Sequence, residues 1–297
     1  DIVAAAKSGN DISWWENDGT PNNANWTEYI VDNNFIGARS VFAADMDNDG
    51  DMDVIGAIEI EDRIVWYEND GAADPSFTAN SITTSADQAV SVFAIDIDRD
   101  GDMDLVSASS NDDKIAWYEN DGAADPSFTT RSIATSADYA KAVFAADMDN
   151  DGDIDIISGS YNDDAIAWYE NTSTAGGITA WTAATISTNS DEPHSVDAAD
   201  VDGDGDMDVL SASFNDNKLV WYENNGSQNF TSYTIADNLG RGEDVYAIDL
   251  DSDGDVDALT AQQTQVAWYE NNGSQSFTAH SIVSASGVYS VYAIDVD

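Results

Sequence analysis

Five stretches of this chain set carboxylates at a spacing that could share one metal ion. They are DMDNDGDMD (Asp45, Asp47, Asp49, Asp51, Asp53), DIDRDGDMD (Asp96, Asp98, Asp100, Asp102, Asp104) and DMDNDGDID (Asp147, Asp149, Asp151, Asp153, Asp155). DVDGDGDMD (Asp200, Asp202, Asp204, Asp206, Asp208) and DLDSDGDVD (Asp249, Asp251, Asp253, Asp255, Asp257) complete the set. Acids at loop positions 1, 3, 5 and 9 with glycine at 6 form the pattern of a calcium loop. Ca²⁺ takes about six to eight oxygens, and the glycine lets the backbone turn sharply around it. Without a cation, so many acids in so short a loop repel one another. The pattern predicts at least five Ca²⁺ ions, one per loop.

The elements that position these loops recur with them. Trp14-Trp15-Glu16-Asn17 is followed by Trp-Tyr-Glu-Asn starting at Trp66, Trp117, Trp168, Trp221 and Trp268, at spacings of 52, 51, 51, 53 and 47 residues. A period of this size marks a solenoid, a propeller or an array. Each repeat holds four short segments rich in Val, Ile, Phe, Trp and Tyr; in the third they are Ala142–Ala146, Asp155–Gly159, Ala165–Glu170 and Thr179–Ile186. Asn-Asp-Gly and Asn-Asn-Gly turns after the third segment suit hairpins, and no helical period is sustained. Four strands per repeat, repeated radially, are the blades of an all-β propeller.

The ends fit a closed ring of six blades. Asp1-Ile2-Val3-Ala4 aligns with Asp53-Val54-Ile55-Gly56, and Val291–Asp297 reads as a first strand opening a loop. Pairing the N- and C-terminal strands would remove exposed edges. The sixth loop is then split between Asp295, Asp297 and Asp1, without its glycine. A seven-bladed ring remains the alternative if the chain is an excerpt. The expectation is one domain over residues 1–297.

The chain resembles the VCBS/FG-GAP repeat β-propellers, whose best-known relative is the head of the integrin alpha subunit. The matching residues are the Asp-x-Asp-x-Asp-Gly-x-x-Asp loops, each set before a strand such as Asp104-Leu105-Val106-Ser107-Ala108. The resemblance implies calcium held by the side chains at positions 1, 3, 5 and 9 and by a backbone carbonyl at 7. It also implies an extracellular or cell-surface setting, and adhesion in place of catalysis. The literal Phe-Gly and Gly-Ala-Pro signatures are absent, which puts the chain nearer the VCBS type. The seventh position is always Asp, so a side chain could contribute there as well.

Bulk composition narrows the function. The 297 residues carry 58 acids against 9 Lys and Arg, a net charge of −49. Phosphate binding needs basic residues, so nucleic acid is excluded as a partner. The absence of cysteine leaves metal as the available staple. No apolar run reaches membrane-spanning length. Weak calcium sites suit extracellular modules.

The Trp-Tyr-Glu-Asn motif has two readings, a sugar platform or packing between blades. Strand side chains alternate faces, so Trp117 and Tyr118 point oppositely, which favours packing. The repeats diverge in the loops joining strands two and three and in the loops joining blades. In a four-stranded meander both emerge on the face opposite the aspartate loops. This face carries Phe35, Tyr139, Tyr161, His194, Phe214 and Arg241, with Tyr161 and Phe214 expected to be exposed. Lone histidines such as His194 and His280 are ordinarily polar surface residues, and no catalytic set can be composed from them. The reading is a non-enzymatic extracellular propeller for adhesion, protein binding or self-assembly. The alternatives are a lectin using Tyr161 and Phe214, and a polysaccharide-degrading enzyme, which would need a basic or histidine-containing cleft.

Overall fold

The second strand of each full repeat is buried along its whole length, while the fourth is largely exposed. That gradient orders each sheet from inside to outside. A computed structural model describes residues 2–6, 10–16, 26–72, 75–172 and 180–293. Among them there is no helix, and every sheet is an antiparallel meander. These sheets are the six blades of an all-β propeller.

The chain divides into two compact units, one running to Ala140 and one spanning Lys141–Ala293. The first unit holds a sheet of three described strands, Ile2–Ala6, Asp11–Glu16 and Thr27–Asp32. It also holds two four-stranded sheets. One is Ala38–Ala44, Asp53–Ile58, Arg63–Asn69 and Phe77–Thr83; the other is Ala89–Ile95, Asp104–Ser109, Lys114–Asn120 and Phe128–Ala134. The second unit holds three four-stranded sheets, beginning at Ala140–Ala146, Pro193–Ala199 and Gly242–Ile248. The expected sealing strand over Val291–Asp297 is not formed at its described residues, since Val291–Ala293 belong to no strand; Ile294–Asp297, and Asp1 of the split sixth loop, lie outside the described residues.

The alternation of Trp and Tyr explains how sheets stack. Trp66 is 2% exposed and lies in one cluster with Ala89, Leu105 and Tyr118 of the following sheet. Trp168 likewise clusters with Val196, Val209 and Tyr222. Adjacent residues of one strand therefore fill opposite interfaces, Trp toward the next sheet and Tyr toward the previous one. Each buried Tyr hydroxyl meets a polar group. Tyr118 lies 3.1 Å from Ser107 Oγ, Tyr67 donates to Asp32 Oδ2 at 3.1 Å, and Gln262 Nε2 donates to Tyr269 at 3.3 Å. The packing reading of the motif holds for the four central Trp residues, Trp66, Trp117, Trp168 and Trp221, all at most 3% exposed.

First strands are laced to the segments beside them, which in the case of Val291 form no described strand. Ser40 Oγ accepts Val92 N–H at 3.3 Å, and Asp244 Oδ2 accepts Val291 N–H at 2.9 Å. Their fifth position is aromatic in most repeats; Phe42 and Phe93 meet at 4.8 Å, Tyr246 and Tyr292 at 4.6 Å. Asp197 breaks that pattern. Its carboxylate is 4% exposed and accepts Ala198 N–H at 2.8 Å and Ala247 N–H at 2.7 Å. Burial, reinforced by the nearby Asp244 charge, pushes its pKa up to about 7 despite those hydrogen bonds.

Two predictions follow from this packing. Trp117→Ala should cost about 3–5 kcal/mol of unfolding free energy, because a buried indole leaves an interface void; denaturant titration measures it. Asp197 binds its proton more tightly in the native state than in the unfolded chain. Its contribution is therefore full below the unfolded pKa and lost as pH rises through about 7. With calcium in excess, the native protein should lose more melting temperature between about pH 5 and about pH 8 than Asp197→Asn does.

Candidate functional site

Each aspartate loop links the first and second strands of its sheet, and its shape is set by two left-handed residues. The fourth position has φ near +60° at Asn48, Arg99, Asn150 and Ser252. The sixth has φ of 94–99° at Gly50, Gly101, Gly152, Gly205 and Gly254. A side chain at Gly50 or Gly101 would meet nothing within 4 Å, so the backbone conformation, not space, demands glycine. Folded this way, the loop gathers carboxylates. Oxygens of Asp45, Asp47 and Asp53 lie within 4.8 Å of one another. Equivalent triads are Asp96, Asp98 and Asp104; Asp200, Asp202 and Asp208; and Asp249, Asp251 and Asp257. In the third loop the triad is Asp147, Asp149 and Asp151.

The members play different parts. The ninth-position Asp is buried and held twice. Asp104 Oδ2 accepts Ile97 N–H at 3.2 Å and Oδ1 accepts Asn120 N–H at 2.8 Å. Asp53, Asp155, Asp208 and Asp257 repeat both bonds. The first-position Asp closes the turn; Asp45, Asp96, Asp200 and Asp249 accept the glycine N–H at 3.0 Å. The residues fit a cation by a specific test: Asp96 Oδ1 and Asp147 Oδ1 are buried with no hydrogen-bond partner. A buried anionic oxygen left unmatched is costly, and a metal ion would satisfy it.

Electrostatics agree. Burial, then the charges of neighbouring loop acids, raises Asp98 and Asp251 above the usual carboxylate range. Asp47, Asp149 and Asp202 are raised too, by burial first and by adjacent carboxylates against a backbone hydrogen bond. Burial pushes Asp104, Asp155 and Asp208 up to about 7. The indoles of Trp117, Trp168 and Trp221 sit close enough to favour the charged forms slightly, but their N–H groups reach no hydrogen-bonding geometry.

Other predicted ligands stand apart from the triads. Asp49, Asp100, Asp204 and Asp253 each accept the N–H two residues on, at 2.9–3.0 Å. The seventh-position carboxylates of Asp51, Asp102, Asp206 and Asp255 lie against the hairpin glycines Gly71, Gly122, Gly226 and Gly273. A Cβ there would come within 2.0–2.5 Å of them. Asp102 also accepts the Asn48 side chain of the preceding loop at 2.7 Å. The Asn of Trp-Tyr-Glu-Asn, which sequence reading took for a turn residue, joins loops as well. Asn120 Nδ2 donates to Met103 O at 3.0 Å and to Met46 O of the preceding loop at 2.9 Å. Asn224 and Asn271 do the same in the second unit.

The divergent loops contain a second feature. In the second unit, Tyr161, His194, Phe214 and Arg241 form one strip. The His194 ring stacks on Phe214 at 4.5 Å with planes 14° apart, and faces Tyr161 at 5.7 Å. Arg241 Cζ lies 4.8 Å above the Phe214 ring, and Lys141 Nζ lies 5.9 Å from the Tyr161 ring. His194 Nδ1 meets Glu243 Oε2 at 3.0 Å. Stacking half-buries Tyr161 and Phe214, which sequence reading expected to be exposed, and leaves the His194 side chain only 10% exposed. Lys141 and Glu243 were missed; the signal was their register, since both occupy the same first-strand position as His194. In the first unit Phe35 lies under Arg63, and Tyr139 donates from its hydroxyl to Gln88. His280 stacks on Trp268 at 4.7 Å and meets Glu270 at 2.6 Å.

Comparison with known proteins gives a consistent picture. The family model described as the FG-GAP-like repeat matches six times, at residues 1–56, 53–107, 96–158, 147–211, 200–260 and 249–297. No curated protein sequence matches. Among solved structures, the chain is similar to an Agrocybe aegerita lectin described as recognising non-reducing terminal N-acetylglucosamine. Their TM-score is 0.60 at 18% identity, covering 94% of this chain and 79% of the lectin. A functionally unknown Desulfotomaculum acetoxidans protein aligns with TM-score 0.63 at 12% identity, over 95% and 78% of the two chains. A Lactobacillus plantarum protein aligns with TM-score 0.62 at 15% identity, over 96% and 80%. At such identities the likeness speaks to the fold alone.

The triads generate a local test. Asp151→Ala should remove one donor from the third loop while Gly152 preserves its turn. Native mass spectrometry against added Ca²⁺ should show one ion fewer bound at limiting metal. The Asp200, Asp202 and Asp208 triad should keep its affinity. Full stoichiometry at unchanged affinity would remove Asp151 from the ligand set.

Proposed function

The chain belongs to the FG-GAP-like repeat family, and from that premise we propose that it is a calcium-stabilised, non-enzymatic binding module that works outside the cell, secreted or surface-displayed. The observation that carries this reading is the recurrence of an aspartate triad at one place in five repeats. An all-carboxylate donor set suits a hard cation, and calcium accepts the irregular geometry such loops offer. When bound, the ion neutralises the clustered charge and ties each first strand to the second. The weak calcium sites of extracellular modules match an environment rich in that ion. Partner binding is assigned to the divergent loops of the second unit, since varied loops on a rigid scaffold are where recognition usually resides. The partner is an extracellular protein or glycan, or another copy of the chain in an assembly.

A lectin is the second reading. It is supported by the fold shared with the Agrocybe aegerita lectin and by the aromatic and amide content of the divergent loops.

The staple has a direct test. A ligand bound only by the native state adds about 2.7 kcal/mol per site at a hundredfold excess over its Kd. With five sites, melting in excess Ca²⁺ should exceed melting after chelation by at least roughly 10 °C. Identical melting curves would sink the calcium-staple reading.

A further inference from the structure

We propose that the strip of Lys141, Tyr161, His194, Phe214 and Arg241 recognises a carboxylate-bearing sugar within an otherwise neutral glycan. This rests on the assignment of partner binding to the divergent loops and names the ligand chemistry those loops would take.

The strip is a departure from the repeat that the scaffold does not require. Where Tyr161 and Phe214 stand, other repeats carry Glu59, Ser110 and Gln263; where Lys141 and His194 stand, they carry Arg39, Val90 and Glu243. Those repeats keep the same strands and the same aspartate loops. Packing alone therefore leaves the ring and cation sequence unexplained.

Its chemistry is that of oxyanion recognition. Arg241 is exposed, and its guanidinium lies over Phe214. The Arg241 backbone N–H is held by Asn217 Oδ1 at 3.0 Å, and Nη1 donates to Gln263 Oε1 at 3.3 Å. A guanidinium held over a ring and by one hydrogen bond loses less freedom on forming the paired bonds a carboxylate accepts. His194 is clamped between two rings with Nδ1 committed to Glu243. Its Nε2 has no hydrogen-bond partner among the described residues. Several neighbouring acids make internal contacts, although Asp216 Oδ1 is buried without a hydrogen-bond partner. Asp216 pairs with Lys218 at 2.7 Å, Asp191 accepts Asn215 Nδ2 at 3.1 Å, Asp164 accepts Glu192 N–H at 3.2 Å, and Glu243 holds His194. Arg241 has no carboxylate partner among the described residues, in a chain of net charge −49.

Two further facts narrow the ligand. Both faces of Phe214 are taken, one by His194 and one by Arg241, so an inserted apolar or aromatic peptide side chain finds no platform. What the strip offers is the exposed Arg241 guanidinium, beside the amides of Asn215, Asn217 and Gln263, which also hold neighbouring groups in place and are of the kind that hydrogen-bonds sugar hydroxyls. The overall acidity also repels a densely charged polyanion at long range. One carboxylate among hydroxyls fits better than an acidic peptide or a heavily sulfated chain.

Calorimetry on the calcium-loaded protein at low salt tests this with four probes: a galacturonic acid trisaccharide, its methyl ester, chitotriose and a short oligoglutamate. The acidic trisaccharide should bind, with the ester at least about tenfold weaker. Arg241→Gln should weaken the acid about tenfold or more without altering the ester, a loss near 1.4 kcal/mol. Arg241→Lys should recover only part, and the melting temperature should be unchanged. Equal binding of acid and ester, equal binding of oligoglutamate, or no heat from the trisaccharide at millimolar concentration would each overturn the proposal. Chitotriose binding that is lost in Phe214→Leu, with the acid silent, would keep the loops as the binding site and remove the acidic chemistry. Binding that ignores Phe214→Leu and Arg241→Gln but is lost in Asp151→Ala would instead overturn the loop assignment itself.

Discussion

The carboxylate at the ninth position of each aspartate loop is the point on which the repeat turns. In each full repeat it is buried at the start of the second strand. One oxygen is held by the second residue of its own loop, the other by the Asn that ends the third strand. A single side chain thus fixes the loop, the second strand and the third strand against one another. The arrangement concentrates negative charge where burial raises its cost. The buried, unpartnered oxygens of Asp96 and Asp147 show where that cost is left unmatched.

Sheet stacking is organised around the same point. The strand that begins with the buried Asp continues as an unbroken run of small and apolar residues, buried on both faces. The next strand presents Trp to one neighbouring sheet and Tyr to the other. The Asn that follows caps the buried Asp and reaches the preceding loop. One four-residue motif thus carries two interfaces and, at Asn120, Asn224 and Asn271, a loop-to-loop tie.

Against this uniform background the departures stand out. Asp197 replaces an aromatic ring on a first strand and draws backbone N–H groups from two strands onto one buried carboxylate. The Lys141-to-Arg241 strip interleaves rings and cations where other repeats carry Glu59, Ser110, Gln263, Arg39 and Val90. Both lie in the second unit. In a repeat protein, positions that break the repeat without altering its strands are free to serve recognition.

The period, the four strands per repeat, the all-β class and the aspartate loops were legible in the sequence, because each rests on local chemistry. Turn residues, alternating apolar side chains and glycine at φ beyond +90° act within a few residues of one another. Which carboxylates share a site was not legible. Positions 7 and 9 are both Asp in all five loops, yet Asp104 turns inward to its triad while Asp102 turns onto Gly122 and the neighbouring Asn48. That difference depends on a hairpin some twenty residues away and on the adjacent loop. The stacking of Tyr161, His194 and Phe214 was hidden for the same reason. The three residues lie more than fifty positions apart end to end, and only the packing of consecutive sheets brings their rings into contact, burying side chains that local pattern alone would leave in water.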